Sequence, residues 1–168
     1  MRNQTAETVP PPACNGPLPI PYTADEVGRT FAELLATVNF GAELRELGIG
    51  RLQLVTRIRA KRLLTAVCIA LWHVALERSF PNDADAFFAH FLRTYPPLVG
   101  DRGGARKLRD LVTRYDALVA EKKDTDFTGV ADTLVTDLGI GESDARRQQL
   151  KLSLRIRSIY ELIFEKLI

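Results

Sequence analysis

His73 and Glu77 stand one helical turn apart in a stretch without Gly or Pro. Side chains at that spacing share a helix face, so an imidazole and a carboxylate there can exchange a proton or hold a metal ion between them. Two ligands do not make a site. No His-Glu-x-x-His, Glu-x-x-His or Cys-x-x-Cys pattern supplies the others, and His90, the second histidine, lies among phenylalanines. A haem or metal sensor centred on His73 therefore ranks third among the functional readings, and neither cofactor nor metal is expected.

Other catalytic arrangements fail on similar grounds. Gly139-Ile140-Gly141-Glu142-Ser143 looks like the end of a phosphate-binding loop, but it follows a helical stretch and has Glu142 where the phosphate-binding lysine belongs. Ser79, Ser143, Ser153 and Ser158 lie outside any nucleophile elbow. Cys68 sits in an apolar run, where burial raises a thiol pKa and leaves it inert. The chain reads as non-enzymatic.

What remains is arginine, which outnumbers lysine among the 23 basic residues. Arg102, Arg106 and Arg109 recur at helical spacing, as do Arg147, Lys151 and Arg155, while Arg57, Arg59, Lys61 and Arg62 form a third cluster. Two steps of four residues carry a helical stripe about 12 Å along the axis, comparable with successive phosphates on an extended strand. Guanidinium forks bind phosphate oxygens in pairs, so such stripes can grip a nucleic-acid backbone without reading its bases. RNA or DNA is the expected partner, contacted through all ten of these side chains.

The competing account is neutralisation within the chain. Residues 51–79 carry six basic side chains and one acidic, whereas residues 124–144 carry six acidic and none basic, so acidic segments can lie beside basic ones. A sharper variant treats residues 42–62 as a helix-turn-helix, with Arg51, Gln53, Thr56 and Arg57 as groove contacts. The second helix is too long for that motif, and Leu44 stands where a small residue belongs.

The elements that must position these groups are helical. Six of the nine prolines fall in the first 21 residues, which predicts an extended, disordered tail over residues 1–22. Thr23 with Glu26 three residues later forms a capping box, opening a helix over 24–38, and a short helix follows over 42–47. Gly48 and Gly139, each within Leu-Gly-Ile-Gly, read as left-handed helix caps. Residues 52–78 form one long helix, apolar on every side from 63 to 76 and hence surrounded by others. Phe87, Phe88 and Phe91 supply an aromatic face before Pro96 and Pro97 end the next helix.

Leu108, Leu111, Val112, Tyr115 and Leu118 mark a fifth helix, residues 127–138 a further one, and Leu152, Ile156, Ile159, Ile163 and Leu167 the stripe of the last. With no strand pattern in evidence, residues 23–168 are expected to form an all-α fold. It is a single compact bundle of about five or six helices, mostly antiparallel neighbours.

The closing stretch from Tyr160 is apolar on more than one side. It either closes the bundle or docks on another subunit, so the second functional reading is a protein-protein adaptor or self-associating chain using the C-terminal helix. The longest apolar run is too short to cross a membrane, and two cysteines do not make a disulfide framework. A cytoplasmic location follows as the expectation. In size, helicity and arginine content the chain is similar to small helical subunits of multi-protein RNA-guided complexes, although no stretch matches them closely enough to transfer positions.

Overall fold

The computed structural model describes residues 22–38, 40–100, 103–122 and 126–167; residues 1–21 of the expected Pro-rich tail, Cys14 among them, and Arg102 lie outside the described residues. Among those described there are seven α-helices and no strand: α1 (Ala24–Thr37), α2 (Gly41–Glu46), α3 (Leu54–Ser79), α4 (Ala84–Thr94), α5 (Gly103–Lys122), α6 (Thr128–Leu138) and α7 (Glu142–Leu167). A 3-10 turn at Pro96–Leu98 joins α4 to α5. No helix is long and apolar enough to cross a membrane among the described residues.

Local signals in the sequence become local geometry. Thr23 Oγ1 accepts from the Glu26 amide at 3.2 Å, and the Thr23 amide donates to Glu26 Oε2 at 3.0 Å, so both halves of the capping box form. Gly48 and Gly139 adopt φ of 74° and 70°. In each case the following isoleucine amide donates back over the helix end, Ile49 to Leu44 at 2.8 Å and Ile140 to Val135 at 3.2 Å. These are two Schellman caps, and only a residue that tolerates the left-handed region makes them at low cost.

The second half of α3 is the axis of the bundle, in contact with α1, α4, α5, α6 and α7. Trp72 is fully buried there, stacked on Phe31 at 4.3 Å and meeting Phe91 edge-on at 4.8 Å. Such aromatic contacts add to the apolar area already removed from water. On α4, Phe87, Phe88 and Phe91 face inward, while Ala86 is exposed.

Gly104 lies against the Arg62 guanidinium and Asp116 bonds His73, so the register advances in one direction along both helices. The pair α3 and α5 is thus parallel, unlike the antiparallel neighbours expected from short connections; α4 and the 3-10 turn carry the chain back between them. By contrast α6 and α7 are antiparallel, with Asp132 beside Gln149 and Phe127 beside Tyr160. Leu152, Ile156, Ile159 and Ile163 of α7 are buried, so that stripe closes the bundle. The side chain of Leu167, its expected last member, lies outside the described residues.

Candidate anion-binding surface

Among the ten cations expected to grip phosphate, the nine that are described do not share one surface. Arg155 is directed at α2: its Nε donates to Glu43 Oε1 at 2.7 Å, and Nη2 makes a second, shorter contact with the same oxygen. Glu43 is buried, so this is an internal ion pair holding α7 to α2. Arg147 pairs with Asp144 at 2.8 Å on its own helix, which leaves Lys151 as the exposed, unpaired member of that stripe among the described residues.

The α5 stripe divides in the same way. Arg109 turns inward, its Nη1 donating to the Leu98 carbonyl at 2.5 Å and to the Gly100 carbonyl at 3.1 Å, so the guanidinium holds the loop before α5. Arg106 is exposed. Three of the expected phosphate ligands are thus already engaged: Arg147 and Arg155 by carboxylates, as in the neutralisation account, and Arg109 by backbone carbonyls, which leave its charge unpaired among the described residues.

The basic residues of α3 behave differently. Arg57, Arg59, Lys61 and Arg62 lie on the first half of that helix, and none is in an ion pair among the described residues. They point to two sides. Arg59 and Arg62 line a groove shared with α5, whereas Arg57 lines a cavity of about 370 Å³ where α2 meets α3. Two further arginines enter that cavity: Arg45 from the end of α2 and Arg51 from the turn. Its lining holds no carboxylate among the described residues.

The Schellman cap explains this convergence. Gly48 reverses the backbone after α2, so residues on either side of the turn return to one corner while Ile49 is buried against the core. In the sequence Arg51 stood only as a groove contact of the helix-turn-helix reading and Arg45 was not singled out, because nothing in the spacing relates the end of α2 to the start of α3. The helix-turn-helix reading is not supported by the outward face. Gln53 Oε1 accepts from the Gly50 amide at 3.2 Å, and Leu54, Val55 and Ile58 occupy the exposed positions where base-reading polar groups would stand.

His73 is held on both ring nitrogens. Nδ1 lies 2.9 Å from Asp116 Oδ1 and Nε2 lies 3.3 Å from Asp85 Oδ1, with the ring stacked on Phe88 at 3.9 Å. Burial by itself would lower its pKa, but the Asp116 bond and charge, the Asp85 bond and the Glu77 charge outweigh it and raise the value above the ordinary imidazole range. Both ring nitrogens face carboxylate oxygens, so neither is turned toward an open coordination site. Among the described residues no group of three or more His, Cys, Asp or Glu side chains is placed to hold a metal ion.

Cys68 is buried on α3, and burial followed by the Glu43 charge pushes its thiol up to about 12. Tyr115, also buried, donates its hydroxyl to Asp137 Oδ2 at 2.9 Å; burial and that carboxylate raise its pKa as well. Both side chains lie in the hydrophobic core. No family model, no curated protein and no solved structure matches the chain. The fold is an all-α bundle whose cationic α2–α3 corner is the candidate site.

Proposed function

We propose that the chain is a non-enzymatic helical subunit that contacts the phosphate backbone of a nucleic acid through the corner where α2 meets α3. The observation that carries this is the entry of Arg45, Arg51 and Arg57 into one cavity without a carboxylate in its described lining. Three guanidiniums held close together repel one another, and an anion bridging them relieves that repulsion while accepting paired hydrogen bonds. Arg57 is half-buried, so part of its positioning is done before any ligand arrives.

The contact is to the backbone and not to base edges, because the side chains pointing outward beside the arginines are aliphatic. Lys61, exposed one turn beyond Arg57 on α3, adds a further cation to that side of the helix. Measuring RNA and DNA affinity against salt tests the reading. Arg51→Glu and Arg57→Glu weaken binding, and each lost phosphate contact lowers the salt slope by about 1. Absence of binding to either nucleic acid at low salt would remove the proposal.

A further inference from the structure

Four of the large aliphatic side chains left at the surface fall within seven consecutive residues: Leu52, Leu54, Val55 and Ile58 are 96, 67, 82 and 59% exposed. Leu54 and Ile58 are one turn apart and Val55 is adjacent, so they form a stripe on the outward face of α3. The remainder of that helix buries nearly all its aliphatics, so this stretch is the exception. Contiguous exposed aliphatic surface on a folded domain marks a binding face for an apolar partner.

Beside the stripe runs a groove of about 610 Å³ between α3 and α5. Its apolar wall is Val55, Ile58, Leu63 and Leu111. Arg59, Arg62 and Lys107 stand on the same lining, unpaired among the described residues. Arg114 is already matched, both Asp137 oxygens accepting from its Nη1 at 3.0 and 2.9 Å. Asp110 is the one other carboxylate in the lining among the described residues, so the groove keeps an excess of positive charge.

We infer that this groove seats an acidic amphipathic helix from a protein partner. The partner's apolar stripe at helical spacing covers Val55 and Ile58, and carboxylates flanking that stripe meet Arg59, Arg62 and Lys107. A nucleic-acid backbone does not cover aliphatic side chains, and the same groove of a second copy brings like charges together. These side chains are not those lining the α2–α3 corner, so the two surfaces stand or fall separately.

Fluorescence anisotropy with the full chain and a labelled synthetic helix of about 20 residues, leucines at helical spacing flanked by glutamates, tests it. The control peptide has the same composition with its leucines scattered. The expected result is that the patterned peptide binds and the scattered one does not, with Ile58→Asp or Arg62→Glu weakening it about tenfold or more. A peptide with lysine for glutamate recovers affinity on Arg62→Glu. Because Ile58 is exposed, circular dichroism of Ile58→Asp matches the parent. Failure of the patterned peptide to bind at low salt overturns the inference, as does binding that Ile58→Asp leaves unchanged. So does capture by phosphatidylserine vesicles in place of the peptide. Loss of peptide binding in Arg51→Glu but not in the groove variants assigns the acidic ligand to the cationic corner and equally overturns it.

Discussion

Arg155 Nε donates to Glu43 Oε1 at 2.7 Å, joining two residues 112 positions apart in the chain. The carboxylate is 3% exposed and its other oxygen, Oε2, is buried without a hydrogen-bond partner among the described residues, while the arginine side chain remains half-exposed. Removing the cation leaves a buried charge with nothing opposite it. Arg155→Met is expected to cost about 2–3 kcal/mol, below the figure for a fully buried pair because the guanidinium is already partly solvated. Glu43→Leu combined with Arg155→Met removes the charge and the orphan oxygen together, and regains most of that loss. Denaturant midpoints of the single and double variants decide it; a double variant as unstable as Arg155→Met would refute this role.

His73 ties α3 to α4 and α5 through its two aspartates. Its folded pKa is raised above its unfolded value, so the stabilisation is fully present below the unfolded pKa and is lost as pH rises through the folded pKa. The parent should therefore lose more thermal stability as pH rises above the ordinary imidazole value, about 6.5, than His73→Phe, which keeps a ring on Phe88 but carries no proton. Parallel melting curves across that range check the sign, and identical pH profiles would contradict it.

Gly48 and Gly139 have φ of 74° and 70°, and an added Cβ at either position meets nothing within 4 Å. Replacement by alanine therefore costs backbone strain alone, about 1 kcal/mol at each site. Asparagine, which visits the left-handed region more readily, costs less. Chemical denaturation of the four single variants tests this order.

Arg109 donates to the Leu98 and Gly100 carbonyls, so Arg109→Ala separates holding the loop from binding a ligand. Amide exchange at Leu98 and Val99, whose N–H groups bond Tyr95 and Pro96, is expected to quicken once the guanidinium is gone. The salt slope of nucleic-acid binding is expected to stay as in the parent, whereas Arg57→Glu lowers it by about 1. A lowered slope in Arg109→Ala would return this residue to the binding surface.

Much of the helical layout was legible in the residues because its causes are local. Thr23 and Glu26, Gly48 with Ile49, and the apolar repeat of α7 act over six residues or fewer, distances that chain order specifies directly. The all-round apolar run of α3 likewise announced a central helix. Charge was different. Arg147, Lys151 and Arg155 look equivalent as a repeat, yet one pairs along its helix, one faces water and one reaches a carboxylate in α2.

Spacing states which side chains share a helix face, but the rotation and crossing of the packed helices decide what that face meets. Those packing choices brought Arg45 to Arg51 and Arg57, gave His73 its aspartates and left Leu54, Val55 and Ile58 in water. Propensity and periodicity act along the chain, whereas ion pairing and exposure depend on residues tens of positions away, and only the tertiary structure places those.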